Sequence, residues 1–190
     1  MFLGDEVGFT SGSFVEGGTL YSYGCYPGFL VQHCQLSRVP LADALDRSAW
    51  TFYAGNGSWS PDIADAVTVF DGGAADEVSF DPYLGDYVAI YSAPLSDDVM
   101  YRVAYAPWGP WSDQALLFHG MPGQSFDYAA LFHPEYAEGD GQTQYVTYVR
   151  TTGPFELEIR LVQVVFGLPG RAPGERPPPS ERSARLRMTK

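Results

Sequence analysis

At 190 residues the chain is long enough for one domain with a core of its own, and 45% hydrophobic with 15% aromatic residues excludes a chain disordered throughout. The formal charge of −12 hides a split: residues 1–166 hold 5 Lys and Arg against 21 Asp and Glu, a charge of −16, whereas residues 167–190 hold 6 against 2, a charge of +4. So acidic a body repels phosphate backbones, which argues against nucleic acid as a partner and leaves neutral sugars, cations or basic partners.

The start, MFLGDEVGFT, lacks a basic end followed by an apolar stretch, so no signal peptide is expected in this chain. No window approaches the roughly eighteen consecutive apolar residues of a membrane span. GSFVEGG and TLYSYGCY read as two short strands broken at Gly17-Gly18, and FLVQHCQLSRVPL continues with the alternation of a half-buried strand. Cys25 and Cys34 flank a turn containing Pro27 and Gly28, which places them across adjacent strands, either as a disulfide or as free buried thiols. A bond would imply an oxidising compartment.

Ala42 to Asp46 is at most one helical turn, and WTFYAGNGSWS closes the first unit with Asn56-Gly57 as a tight turn. The acidic stretch Pro61–Asp76 is expected to be a connecting loop around VTVF. EVSFDPY, DYVAIYS, DVMYRVAYA and QALLFHG then make four strands, and LFHPEY, TQYVTYVR and FELEIRLVQVVF make three, with no recognisable fourth. From Gly167 onward, Pro, Gly, Ser and Arg cannot bury enough apolar surface to offset the entropy of ordering, so a disordered basic tail is expected.

These strands form a repeat. Beginning at Phe14, Phe80 and Phe132, the copies read SFVEGGTLYSYG, SFDPYLGDYVAIYS and LFHPEYAEGDGQTQYVTYV. Units of about fifty to sixty residues built from strands alone point to radially repeated sheets, an all-β, β-propeller-like fold. Closed propellers usually carry about four to eight blades, and this chain supplies about three. The expectation is therefore a partial propeller over residues 1–166, with upstream blades missing or with another chain completing it.

Several phrases carry a family likeness: EGGTLYSYGC, CQLSRVPLADALDRSAWTFY, DPYLGDYVAIYS, YRVAYAPWGPWS, and DYAALFHPEY with the following YVTYV. Together, over Gly12 to Phe166, they resemble the bacterial family catalogued as domain-of-unknown-function family 4185. The resemblance implies the later part of a five-bladed propeller related to furanosidase-type glycoside hydrolases, some of which cleave D-arabinan of mycobacterial cell-wall type. It further implies a polysaccharide or glycan as partner and an extracellular or cell-envelope setting.

Glycoside hydrolysis needs two carboxyl groups facing each other across the bond, about 5 to 9.5 Å apart depending on stereochemistry. Aligning the repeats on their shared Phe puts Asp81 and His133 at one equivalent position, with Val15 in the first copy, and strand alternation gives Glu135 the face of His133. Glu135 is the candidate general acid, Asp81 the base or orienting partner, and His133 the third member of a catalytic set. Pro134-Glu135 as a strand end, with the Glu capping a turn or pairing with Arg150, is the structural alternative. Asp127 either reaches toward the same mouth from a loop or is an ordinary loop Asp accepting backbone N–H bonds, and Tyr128 and Tyr136 are the aromatics best placed to stack on a sugar; Tyr83, Trp108 and Trp111 read as packing between blades.

His33, His119 and His133 lie in different units without zinc spacing, so no metal site is expected, nor any cofactor, for want of a Gly-rich phosphate loop. The leading expectation is a furanosidase-type glycoside hydrolase; the alternatives are a non-catalytic carbohydrate-binding or interaction module, or an inactive fragment of a larger propeller.

Overall fold

Two left-handed glycines open the first sheet. In the computed structural model, which describes residues 8–167 (backbone alone for 74–76), β1 (Gly12–Glu16) turns into β2 (Thr19–Pro27) through Gly17 and Gly18 at φ 55° and 77°. Glycine enters that region without a Cβ clash, so the turn keeps the hairpin tight. β3 (Gln32–Pro40) then pairs antiparallel with the whole of β2, from Thr19↔Pro40 to Pro27↔Gln32. Within that register Cys25 stands opposite Cys34, and the two are joined by a disulfide.

The far edge of β3 is shared. β4 (Thr51–Gly55), in a hairpin with β5 (Ser58–Ser60), pairs with β3 only at Ser37 and Arg38. That leaves the backbone of Gln32–Gln35 unpaired, and β6 (Thr68–Gly72) fills the edge. The sequence reading placed this segment in a connecting loop, and the structure corrects it. A β-branched and aromatic run, Thr68-Val69-Phe70, beside an open edge gains more from the ladder than its acidic neighbours lose.

The second sheet has the order β10-β9-β8-β7, built from β7 (Ala74–Asp81), β8 (Asp86–Ser92), β9 (Asp98–Ala104) and β10 (Ala115–His119). The third has three strands, β11 (Tyr128–Phe132), β12 (Thr143–Gly153) and β13 (Glu156–Val165). All pairings are antiparallel, the first strands β1, β7 and β11 lie side by side, and the fold is all-β and propeller-like, with one blade per sheet. The segment expected to form a disordered tail lies, from residue 168 on, outside the described residues.

Alternation along the central strands builds two cores between blades. Every residue of β8 is buried: Tyr87 and Ala89 face blade one, where they meet Tyr23, Leu36 and Phe70, whereas Val88 and Ile90 face blade three, where they meet Phe132, Val146 and Tyr148. Burying each of the larger aliphatic side chains, such as Val88, Ile90 and Leu36, stabilises the stack by about 1.5–3 kcal/mol. Trp108 stacks on Tyr53 and Trp111 packs against Phe70, while Tyr83 is 2% exposed, so these aromatics are packing residues as expected. The outer face of blade one is closed by Phe9 and Trp50 over Leu20, Val39 and Phe52. Among the described residues no helix is long and apolar enough to cross a membrane.

Candidate active site

The candidate residues divide between the two ends of the inner strands. At the C-terminal end of β11 the chain leaves the sheet at His133, because Pro134 cannot continue the ladder and starts a 3-10 turn over Pro134–Tyr136. The sequence reading kept Glu135 on the strand beside His133. The turn reaches the same juxtaposition by another route: His133 Nδ1 lies 3.2 Å from Glu135 Oε1, and His133 Nε2 lies 2.8 Å from Thr147 Oγ1 on β12. A neutral ring protonated at Nδ1 donates to the Glu135 carboxylate and accepts from the Thr147 hydroxyl, fixing its orientation through both nitrogens.

A third group joins from blade two. Glu77, half-buried on β7, has its carboxyl pushed up to about 7, first by burial and then by the negative charge of Glu135. The structure thus couples a carboxyl raised to about 7 to a second, exposed one. Glu77 escaped the sequence reading. The signal was there in the alternation: counting back by twos from Asp81 along the same strand face gives Ser79 and then Glu77.

Beside this group runs a groove of about 490 Å³ lined by His133, Tyr136, Glu138, Tyr145, Thr147 and Leu161. Tyr136 is 66% exposed, with its ring 6.2 Å from that of His133. The Tyr145 hydroxyl donates to Glu138 at 2.9 Å and accepts from Gln163 Nε2 at 3.2 Å, so its ring is held in place at the groove wall.

Asp81 sits apart from solvent. It is fully buried; Oδ1 accepts from the Leu84 amide at 2.9 Å and Oδ2 from Gln144 Nε2 at 2.8 Å. Burial raises its carboxyl, and these hydrogen bonds oppose the rise. The carboxyl therefore caps the β7–β8 turn and ties blade two to blade three, and no substrate reaches it in this conformation.

Asp127 is at the opposite end, immediately before β11. It is 3% exposed, its backbone amide donates to Asp97 Oδ1 at 3.2 Å, and neither of its own carboxylate oxygens has a hydrogen-bond partner. Burial and then the Asp97 charge push its carboxyl up to about 6, with Arg150 opposing them. With Tyr128, 40% exposed, it lines a second cavity of about 320 Å³ formed with the β2–β3 and β8–β9 loops. At roughly 3.3 Å per strand residue, the length of β11 holds Asp127 about 15–20 Å from His133. Asp127 and Glu135 cannot flank one glycosidic bond.

With the geometry described, the chain can be set against known proteins. A family model described as Domain of unknown function (DUF4185) matches residues 4–152. The chain belongs to this family. Among solved structures, the DUF4185 chain superposes on a provisionally assigned hydrolase from Bacteroides ovatus ATCC 8483 with TM-score 0.59 and 18% identity, covering 78% of this chain and 40% of that one. It superposes on a thermostable family-43 glycoside hydrolase with TM-score 0.53 and 16% identity, covering 86% of this chain and 51% of that one. At such identities the likeness is one of fold, and that fold is glycoside-hydrolase-like. The DUF4185 chain spans about half or less of these structures' lengths. No curated protein sequence matches it.

Among the described residues of the DUF4185 chain, no group of three or more His, Cys, Asp and Glu is arranged to hold a metal ion. Each of its three histidines instead meets one carboxylate: His33 with Asp71 at 2.6 Å, His119 with Asp98 at 2.6 Å, and His133 with Glu135. The last lies in the groove described above, and its partner Glu135 is charge-coupled to Glu77.

Proposed function

We propose that the chain is part of a carbohydrate-active propeller that hydrolyses glycosidic bonds in a furanosyl polysaccharide of the D-arabinan type, with Glu77 and Glu135 as its carboxyl pair. The observation that carries this reading is that pairing: two carboxyls from adjacent blades, mutually repelling, beside an aromatic-lined groove. Glycosidases need two carboxyls pushed into different protonation states by their surroundings. Here burial and the neighbouring Glu135 charge raise Glu77 to about 7, and Glu135 lies 3.2 Å from a ring nitrogen of His133.

In the proposed reaction Glu77 gives its proton to the departing sugar oxygen as the glycosidic bond breaks. Glu135 serves the anomeric side, taking up the proton of the attacking water, and His133 holds Glu135 in place. Tyr136 and Tyr145 offer stacking faces for the ring being cleaved and its neighbour. The furanosyl preference rests on the family resemblance, and the Cys25–Cys34 disulfide supports an extracellular or envelope setting.

The test is release of reducing ends from D-arabinan by the 190-residue chain and by Glu77→Gln and Glu135→Gln. A general acid or base contributes about 10²–10⁴-fold, so each variant should fall at least about a hundredfold while still binding the polymer. Hydrolysis at the same rate in both variants would overturn the assignment of the pair. Binding of arabinan with no hydrolysis in any form would favour a carbohydrate-binding module.

A further inference from the structure

We propose that Asp97 and Asp127 hold a divalent cation, with calcium the best fit, in the seam between blades two and three. Three pieces of chain meet there: Asp97 in the β8–β9 loop, Gly120 just after β10, and Asp127 just before β11. The Gly120 amide donates to Asp97 O at 2.6 Å, and the Asp127 amide donates to Asp97 Oδ1 at 3.2 Å. Both amides thus serve Asp97, and the Asp127 carboxylate, 3% exposed, has a hydrogen bond on neither oxygen. A carboxylate taken out of water needs a counter-charge or a set of donors. Arg150 favours the ionised form of Asp127 through its charge, but it gives Nε and Nη2 to Pro122 O and Nη1 to Glu158. The buried carboxylate is left without a bonded partner.

The surroundings of Gly120 show what that partner is. A Cβ built on Gly120 would collide with Asp127 Oδ2 and lie 2.7 Å from Asp97 O. A carboxylate oxygen and a main-chain carbonyl oxygen therefore face one small space that the missing side chain leaves free. A proton on Asp127 would satisfy one of its oxygens and leave the other bare, whereas a cation engages both and draws in Asp97 as well. Carboxylate and carbonyl oxygens suit calcium, magnesium or manganese rather than the softer transition metals. A mixed set from three loops matches the adaptable shell of calcium better than the strict octahedron of magnesium. Two acidic side chains do not complete a shell of about 6–8 oxygens, so Asp97 O and water supply the remainder. The cavity of about 320 Å³ that Asp127 lines lies beside the seam as the source of that water.

An ion in this seam joins blade two to blade three through the loops that carry Asp97 and Asp127. It acts as a structural staple, and the chain's net charge of −12 favours its arrival. The site lies at the other end of β11 from His133, about 15–20 Å away, so it takes no part in the groove. It stands or falls separately from the glycan reading, because calcium binding and hydrolysis are measured independently.

Thermal melts of the full 190-residue chain, first freed of metal by a chelator and then titrated with calcium chloride, test the site. Binding should follow a dissociation constant of about 10⁻⁴–10⁻³ M, the range of extracellular calcium modules. At about ten times that concentration the wild type should gain about 3–6 °C in Tm over sodium chloride of equal ionic strength. The sodium arm removes the general screening that any salt gives so acidic a chain. Asp127→Asn keeps the shape of the side chain and loses its charge, and should respond to calcium no more than to sodium. Equal shifts with calcium and sodium in the wild type, or a calcium shift retained in Asp127→Asn, overturn the proposal. Where Asp127→Asn does not fold, Asp97→Asn takes its place, and calcium binding of wild-type strength in that variant overturns the proposal equally.

Discussion

Replacing Glu77 by Gln isolates a carboxyl that burial and the neighbouring Glu135 charge push up to about 7. Its value of about 7 lies some 2.5 units above the ordinary 4.5, so the folded state binds this proton more tightly than the unfolded chain. A raised carboxyl contributes stability at low pH that is lost as pH climbs from about 4.5 through about 7. Between pH 5 and pH 8 the full shift would correspond to roughly 2.5 kcal/mol, and because Glu77 is only half-buried, solvent screening brings this to about 2 kcal/mol. For a domain of this size that is about 4–8 °C in Tm. Thermal melts of the wild type should therefore fall between pH 5 and pH 8 by that much more than melts of Glu77→Gln, whose amide carries no charge to bury. Glu135→Gln should show part of the effect, since it removes the neighbouring charge that supplies the second contribution to the shift. Parallel pH profiles for wild type and Glu77→Gln would refute the burial and coupling of Glu77, and with it the acid assigned to the proposed reaction.

Asp127→Asn should raise Tm at pH 8 and leave it nearly unchanged at pH 4, because the carboxyl at about 6 is buried beside Asp97 with both oxygens unpartnered; melts at the two pH values check the sign. Reducing Cys25–Cys34, or replacing both by Ser, releases a loop of 9 residues' separation and should cost about 2–3 kcal/mol in urea unfolding. Gly141→Ala forces a Cβ within 2.6 Å of Asp81 Oδ1 at a residue with φ 102°, and should destabilise by about 1–3 kcal/mol in the same assay, whereas Gly57→Ala, with open space around it, should cost only its strain at φ 76°.

Much of the fold was legible in the sequence because each blade states its strands locally. Glycine pairs and short polar turns punctuate alternating runs, so the four strands of blade two and the last two of blade three fall where periodicity put them, whereas the first strand of blade three, read as LFHPEY, runs instead over Tyr128–Phe132 and gives way to a 3-10 turn at Pro134. What escaped was decided by distant partners. β6 is a strand because β4 leaves half of β3's edge open, a fact about pairing across more than thirty residues that no local pattern carries.

The site divides along the same line. The shared Phe correctly equated the ends of β7 and β11, yet the equivalent Asp81 and His133 have different surroundings because the connections that follow differ in length. Four residues, 82–85, join β7 to β8, so Asp81 is drawn into the turn and its oxygens are taken by the Leu84 amide and Gln144. Ten residues, 133–142, join β11 to β12, long enough for the 3-10 turn at Pro134 to fold Glu135 back onto His133 and toward Glu77. Equivalent strand ends thus yield a buried cap in one blade and a titratable cluster in the next. The repeat locates the strand ends at which to look, and the loop that follows each one decides whether its carboxyl is bound to the protein or presented to a groove.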